Sequence, residues 1–264
     1  MEEWEIENTT KWTSKQLHGE YKRQVQVPEI TSLEIAYRWK QESTGLKIVT
    51  EALITTAQDQ APDTKCHKAK ILHTTNNPKC SMCKDKDEAV AHIVCACPNI
   101  AGSLYKTRHN NVVGATHRSI CQHYEIKTTD NIWLHKPNSV AENNKVKVLW
   151  DFEIRTERQI QARRPDLVVV DKQTKEGLII DVAIPNDTHI VDKESEKIEK
   201  YQDLRLEIQR MWNIKARVVS TVGLIEALGA TSNNLEKHLQ DIPGKNKIPN
   251  WHLPQLAPTN TRVE

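Results

Sequence analysis

Two short apolar runs separated by a polar turn constrain the fold more than any other part of the sequence. They occupy residues 167–170 and 178–184, and both are rich in β-branched residues. Runs of this length and composition, divided by a polar stretch that ends at Gly177, predict two buried strands joined as a hairpin. If the hairpin is symmetric, its centre falls near Thr174.

Two aspartates occupy equivalent positions on the two arms of this hairpin. Asp166 and Asp181 lie eight and seven residues from Thr174, so they are expected almost directly opposite each other. Side chains opposed in this way have Cβ atoms roughly 4.5–5.5 Å apart, and like charges there are destabilising. A shared divalent cation compensates two buried carboxylates, because hard Mg²⁺ prefers carboxylate oxygens. The alternative is that one aspartate is a solvated strand-end or turn residue.

An amphipathic helix is predicted after the hairpin, over residues 192–212. Its apolar residues recur at intervals of three and four, at Ile198, Tyr201, Leu204, Ile208, Met211 and Trp212. At about 100° per residue, Lys197 projects within roughly 30° of the middle of the apolar stripe. A lysine there either reaches out to solvent or faces a negative group, for which the two aspartates are the obvious candidates. If the helix starts at another residue, Lys200 replaces Lys197.

A cluster of cysteines and one histidine is the second feature that carries chemistry. Cys80, Cys83, His92 and Cys97 follow the spacing C-x2-C-x8-H-x4-C, a nitrogen and sulfur set suited to tetrahedral Zn²⁺. Cys95 is an alternative fourth ligand. If no metal binds, these residues are scattered reduced cysteines in a helical linker.

Together these features resemble a known family of nucleases. Arg164-Pro165-Asp166, then Asp181, then Lys197 four residues before Tyr201, resemble the restriction-like endonuclease of non-LTR retrotransposons, a PD-(D/E)XK variant. In that domain the lysine has moved from the strand of the second acid to the following helix, and a zinc knuckle precedes the nuclease. Ala183 stands here where the usual pattern has lysine.

The resemblance covers roughly residues 50–230 and implies a fold. That fold is α/β (α+β): a PD-(D/E)XK restriction-endonuclease-like core preceded by a helical linker and a small CCHC zinc knuckle. The expected organisation is a helical linker at 1–76, the knuckle at 77–99, the endonuclease domain at 100–240 and a Pro-containing tail at 241–264. The tail is expected to be loose.

The resemblance also implies an activity, a DNA endonuclease that depends on Mg²⁺ or Mn²⁺. Asp166 and Asp181 would hold the metal, and Lys197 or Lys200 would orient the attacking water or stabilise negative oxygens. Tyr201 would brace the lysine or contact DNA. The nick in target DNA would prime reverse transcription, with element RNA and the reverse transcriptase domain of a parent polyprotein as partners. The implied site of action is nuclear, after synthesis in the cytoplasm.

Charged residues around the first aspartate have two interpretations each. Arg163 and Arg164 precede Asp166, so they either contact a phosphate or form salt bridges with neighbouring acids. Glu153 is either a third acid near the metal or an exposed carboxylate. It lies on a strand predicted at 146–155, whose buried face is formed by Val148, Trp150, Phe152 and Ile154.

The remaining segments are expected to complete an α/β order around the hairpin. Helices are predicted at 33–39 and 50–60, a polar linker or loop at 138–144, a strand at 216–222 and a helix after Gly223. Cys66 and Cys121 are expected to be ordinary thiols, and His117 and His123 surface or core histidines.

Composition limits the classes of function. Thirty-seven basic and 35 acidic residues give a net charge of +2, so any affinity for nucleic acid must come from local patches. Four of the six cysteines, counting Cys95, fall in the metal-like cluster at residues 80–97, which favours a reducing compartment over a disulfide framework. No apolar run approaches the length of a membrane span or a secretory signal, so neither is expected.

The polymerase signature Tyr-x-Asp-Asp does not occur in the sequence. The chain is therefore expected to cut or bind nucleic acid rather than copy it, as the C-terminal part of an element protein or a truncated copy. Two alternatives remain: a non-catalytic nucleic-acid-binding module, and a decayed or domesticated remnant that acts as a scaffold.

Overall fold

A computed structural model describes residues 48–58, 61–130, 135–184, 190–222 and 239–244. The helices predicted at 33–39 and after Gly223, and the tail beyond residue 244, lie outside the described residues.

A mixed sheet of five strands forms the centre of the described chain. The strands are β1 (Val140–Glu142), β2 (Val146–Trp150), β3 (Leu167–Asp171), β4 (Glu176–Ala183) and β5 (Lys215–Val222). They lie in the order β1-β2-β3-β4-β5; the first four are antiparallel, and β5 runs parallel to β4. The expectation of mixed α/β content is confirmed.

Helices cover both faces of the sheet. They are α1 (Ile48–Gln58), α2 (Lys65–Lys70), α3 (Lys106–His123), α4 (Ile190–Lys200) and α5 (Gln202–Trp212). Two π-helical turns, His92–Ala96 and Ala101–Tyr105, flank the short helical segment Pro98–Ile100 and lead into α3.

The two central strands are buried on both faces. On one face, Leu167, Ile180 and Val182 pack with Val112 and Ile120 of α3. The opposite face packs against α4 and α5 through Val168, Ile179, Tyr201, Leu204 and Ile208. Burial of each such side chain contributes roughly 1.5–3 kcal/mol. This two-sided burial explains why the strands appear in the sequence as continuous apolar runs.

The predicted hairpin is confirmed, with its centre where symmetry placed it. Pairing runs from Leu167 opposite Ile180 to Asp171 opposite Glu176. Asp171 closes the turn by accepting hydrogen bonds from the backbone N–H of Gln173, at 2.8 Å, and of Thr174, at 2.9 Å. Continued by one residue, this register sets Asp166 opposite Asp181.

Strand β2 is shorter than predicted, and a new strand precedes it. β2 ends at Trp150 because Asp151 adopts a positive φ of 44°, which turns the chain out of the sheet. Phe152, predicted to be in the core, is 40% exposed, whereas Ile154 is buried. Part of the segment expected to be a linker forms β1, which pairs with β2 at the edge of the sheet.

The helix predicted over 192–212 is interrupted at Tyr201. The backbone of Tyr201 has φ −105° and ψ 9°, outside helical geometry, and separates α4 from α5. The Tyr201 hydroxyl donates to the carbonyl oxygen of Arg164 at 3.2 Å, so the residue is anchored to the segment before β3. The break therefore coincides with a tertiary contact that helical periodicity does not encode.

Residues 239–244 pack against the core, which corrects the expectation of a loose tail for residues 241–244. Ile242 is 1% exposed, and Asp241 pairs with Arg217 of β5 at 2.8 Å. Gly244 has φ 80°, and a Cβ there would lie 2.4 Å from the carbonyl oxygen of Ser119. Both the backbone conformation and the close approach to α3 require glycine at this position.

Candidate functional site

Four ligand atoms of the cysteine and histidine cluster converge. The Sγ atoms of Cys80, Cys83 and Cys97 and a ring nitrogen of His92 all lie within 4.8 Å of one another. Cys80 Sγ is 4.0 Å from Cys97 Sγ, and Cys83 Sγ is 3.3 Å from His92 Nε2. Tetrahedral zinc with ordinary bond lengths separates two sulfurs by about 3.8 Å and sulfur from nitrogen by about 3.6 Å. The cluster therefore matches the dimensions of a zinc site.

A tight turn presents the first two cysteines. Lys79 and Asp87 form a bridge, the Cys80 amide donates to Lys86 O at 2.8 Å, and Lys84 has a positive φ of 62°. Backbone N–H groups of Lys86 and Asp85 point at the Cys83 sulfur and lower the pKa of this thiol to about 6. A thiolate is the form that binds metal, so the turn prepares Cys83 as a ligand.

Cys97, rather than Cys95, supplies the fourth ligand atom of the cluster. The Cys97 amide donates to His92 O at 2.7 Å, which closes the π-helical turn His92–Ala96 and brings the Cys97 sulfur to the cluster. Cys95 is outside the group of converging ligand atoms. Cys80 and Cys97 are each 1% exposed, so the site is enclosed on their side.

Helix α2, which was assigned to the linker, is attached to this knuckle. The Glu88 carboxylate accepts from the amide of Lys65 at 3.0 Å and from the amide of Ser81 at 2.6 Å. Lys70 pairs with Asp87 at 3.2 Å. The knuckle and α2 therefore form one local unit that extends upstream of the predicted boundary at residue 77.

The second group of candidate residues meets at the end of the central hairpin. Asp181 is 3% exposed, and the Lys197 ammonium lies 2.5 Å from its Oδ2. Asp166 Oδ2 accepts from the backbone N–H of Val182 at 2.7 Å. The structure therefore brings both aspartates and the helix-borne lysine together, as the sequence predicted.

Lys197, rather than Lys200, faces the acids. Burial alone would lower the pKa of Lys197, but the charges of Asp181 and Asp166 outweigh burial and raise this pKa above its ordinary value. The side chain is therefore an ammonium at neutral pH. Lys200 is exposed and donates instead to the Tyr201 hydroxyl at 3.0 Å.

Tyr201 holds the helices against the site. Its side chain is 1% exposed, and its hydroxyl links Lys200 to the carbonyl oxygen of Arg164. Burial, together with the neighbouring carboxylate of Asp181, raises the pKa of Tyr201, so the phenol is neutral. The hydroxyl therefore contacts Lys200 and the chain before β3, and the ring is enclosed.

The arginines before Asp166 form salt bridges. Arg164 binds both carboxylate oxygens of Asp151, at 2.7 and 2.8 Å, and Arg163 pairs with Glu153 at 3.0 Å. Glu153 is an exposed carboxylate in this pair, which is the second of the two interpretations considered for it.

His109 of α3 completes the group and was not identified from the sequence. Its Nε2 lies 3.2 Å from Asp166 Oδ2 and 3.1 Å from the carbonyl oxygen of Val182, and its Nδ1 lies 3.2 Å from Asn110 Oδ1. Both partners of Nε2 are acceptors, so Nε2 carries a proton and donates. Burial lowers the pKa of His109, but Asp166 and the other acceptors raise it above its ordinary value. No motif spacing marks this residue, which lies 57 positions before Asp166.

Comparison with known proteins gives no family assignment: no family model matches the chain, and no curated protein does. Among the described residues, no helix is both long enough and apolar enough to cross a membrane.

Proposed function

We propose that this chain is a divalent-metal-dependent DNA endonuclease with a PD-(D/E)XK type of core. The observation that carries the proposal is the contact of 2.5 Å between the Lys197 ammonium and the buried Asp181, with Asp166 directly before the neighbouring strand β3. Two acids and a lysine in this arrangement are the groups that phosphodiester hydrolysis needs. The acids hold a cation, and the lysine stabilises negative charge.

The oxygen atoms at the site fit Mg²⁺ or Mn²⁺. The carboxylates of Asp166 and Asp181 are hard ligands, and the Val182 carbonyl oxygen shares His109 Nε2 with Asp166. A bound divalent ion would polarise the phosphate and lower the pKa of a coordinated water. Lys197 would orient that water or neutralise a phosphate oxygen, and Tyr201 would keep the α4–α5 junction in place against Arg164.

The zinc knuckle fits a role in nucleic-acid binding within this proposal. Zn²⁺ held by Cys80, Cys83, His92 and Cys97 would fix the turn that carries exposed Lys84 and Lys86. Basic side chains on a rigid turn suit contacts to phosphates. In the wider proposal the target is DNA nicked for reverse transcription in the nucleus, with element RNA and a reverse transcriptase domain as partners.

A single comparison tests the nuclease proposal. Supercoiled plasmid is incubated with Mg²⁺ and either the wild-type chain or the isosteric variant Asp181→Asn. We expect the variant to nick at least about 100-fold more slowly, because one metal-binding carboxylate is lost. Glu153→Gln, which neutralises an exposed acid near the site, is the matched control and should nick at the wild-type rate. Equal product from wild type and Asp181→Asn would refute the proposal.

A non-catalytic nucleic-acid-binding module is the second candidate, and one observation favours it. Lys197 contacts Asp181 and His109 Nε2 donates to Asp166, so both acids already have partners within the chain itself. This candidate predicts gel shifts of DNA or RNA that are abolished by zinc chelation and unchanged in Asp181→Asn. A chain without nucleic-acid affinity or metal uptake would instead be a scaffold remnant.

A further inference from the structure

A cavity of about 330 Å³ opens beside the aspartate pair. It lies between the first half of α3 and the turn that follows β2. Its walls include Lys106, His109, Asn110, Trp150, Arg164 and Asp166. Because Asp166 and His109 belong to both the cavity and the acid site, a ligand in the cavity would lie beside the proposed cleavage site.

The walls of this cavity combine an aromatic ring, an amide and cations. Trp150 is partly buried, and its indole meets the ring of His117 edge to face, with ring centroids 6.1 Å apart. Asn110 is exposed, and one end of its amide meets His109 Nδ1, which leaves the other end available to a ligand. Lys106 adds positive charge to the wall, whereas Arg164 is paired there with Asp151, which also lines the cavity. An aromatic face stacks on a base, an amide reads its edge, and a lysine attracts its phosphates.

The size of the cavity suits one nucleotide. Its volume of about 330 Å³ is at the lower end of the roughly 300–1,000 Å³ range of small-molecule sites. A base inside a duplex is stacked on both sides and cannot enter such a cavity without leaving the helix. The occupant must therefore come from a strand that is unpaired at that nucleotide.

We propose that this cavity binds an unpaired nucleobase of the substrate strand next to the phosphate that is cut. This inference rests on the proposed nuclease function and names its substrate class, DNA that is single-stranded or locally melted at the cut. The bound base would anchor the strand so that its neighbouring phosphate lies over Asp166 and Asp181.

The test uses oligonucleotides of one sequence in three forms: a full duplex, a duplex with an internal bubble, and bubbles in which one nucleotide near the cut is abasic. The full-length wild-type chain with Mg²⁺ is expected to cut the bubble about tenfold faster than the duplex. One abasic position should reduce cutting of the bubble by about tenfold, as loss of one base–aromatic stack does.

Variants connect this preference to the cavity. Lys106→Ala and Asn110→Ala remove exposed side chains of α3 and should reduce the preference for the bubble to less than about threefold. Lys145→Ala, at the other end of β2, is the matched control and should keep the preference. Trp150→Leu is expected to remove it as well, but Trp150 also packs against the core, so the two α3 variants decide.

The outcomes separate this inference from the proposed function. Equal cutting of duplex, bubble and abasic bubble by wild type would overturn the cavity inference and leave the nuclease intact. If wild type cuts no substrate, the nuclease proposal fails, and fluorescence anisotropy with Asp181→Asn decides about the cavity. Binding that weakens at one abasic position and loses that sensitivity in Lys106→Ala supports the inference, whereas binding that is indifferent to abasic positions overturns it.

Discussion

The cysteine–histidine knuckle at residues 80–97 and the aspartate pair bring polar groups together in opposite ways. All four ligands of the knuckle come from one stretch between Cys80 and Cys97, and a local turn with one π-helical turn brings them together. The aspartate pair is assembled from β3, β4, α3 and α4, with His109 reaching Asp166 across 57 residues. One site is local in sequence, and the other depends on the whole sheet.

This difference determines what stabilises each region. The knuckle buries few apolar side chains, mainly Val90, so we expect a bound metal to supply most of its folding free energy. The aspartate pair lies beside a core packed on both faces of the sheet, and this packing positions the strands and helices that carry it. Removing zinc should therefore affect only the knuckle, whereas changing a buried charge should affect the sheet.

Loss of zinc is expected to have the largest effect. Cys80→Ser, or chelation of the wild type, should unfold residues 61–100, because zinc contributes on the order of 10 kcal/mol to such units. Zinc content should fall from one ion per chain to none, and amide exchange protection should disappear from α2 and the knuckle but persist in β3 and β4. Cys95→Ser is the matched control and should keep the zinc. Loss of protection in the sheet would contradict the separation of the two regions.

Breaking the buried ion pair should destabilise the sheet. Asp181→Ala leaves the Lys197 ammonium beside a buried, apolar strand and should lower the free energy of unfolding by about 3 kcal/mol. Urea denaturation measures this change. The double variant Asp181→Ala with Lys197→Met removes both charges and should recover at least half of the loss. If the double variant is less stable than Asp181→Ala, the lysine is stabilised by something other than Asp181.

Acidification should lower the free energy of unfolding by protonating His117, a residue of α3 that is 2% exposed. Burial and the neighbouring His135 lower the pKa of His117 to about 4, whereas the unfolded chain has about 6.5. Between these values the unfolded chain binds more protons, so stability rises with pH across this interval and is lost on acidification from 6.5 to 4. We expect His117 to account for about 2 kcal/mol of that loss.

The measurement compares urea denaturation of wild type and His117→Phe between pH 7 and pH 4. Protonation of the zinc ligands is common to both proteins, so the difference between the two profiles isolates His117. Exposed His123 provides the control, since His123→Gln should follow the wild-type profile. Parallel profiles for wild type and His117→Phe would show that the pKa of His117 is not lowered in the folded chain.

Substitution of His109 should have the smallest effect, and this effect should depend on which ring nitrogen the new side chain replaces. Gln places an amide N–H where the histidine has Nε2 and can still donate to Asp166, whereas Asn is too short and places its amide near Nδ1. We expect His109→Asn to reduce the nicking rate by about tenfold, which corresponds to the loss of one hydrogen bond to a charged group. His109→Gln should retain most of the wild-type rate. Steady-state kinetics should assign the loss to kcat, and equal losses in the two variants would mean that His109 only fills space.

The parts of the fold that the sequence predicted well depend on short-range patterns. The β-branched runs gave the hairpin and its register, because a period of two and a symmetric turn fix which residues oppose each other. Helical periodicity likewise identified Lys197 as the lysine that faces the acids. The ligands of the knuckle followed from spacing alone, except that only the folded turn distinguished Cys97 from Cys95.

Other features depended on contacts between residues far apart in the chain. The break at Tyr201 coincides with a hydrogen bond to Arg164, and the end of β2 at Trp150 coincides with the Arg164 clamp on Asp151. Phe152 and Ile242 show the same limit of prediction from sequence. An apolar residue is exposed or buried according to what packs beside it in the folded chain.

By itself the sequence determined which chemical groups are present and which neighbours along a strand or turn meet, because local geometry repeats with a fixed period. Only the tertiary structure decided that His109 joins Asp166, that both arginines before it are engaged by acids, and that a cavity opens there. Those outcomes depend on how helices dock on the sheet. Docking is a balance of packing across the whole core that no single stretch of residues contains.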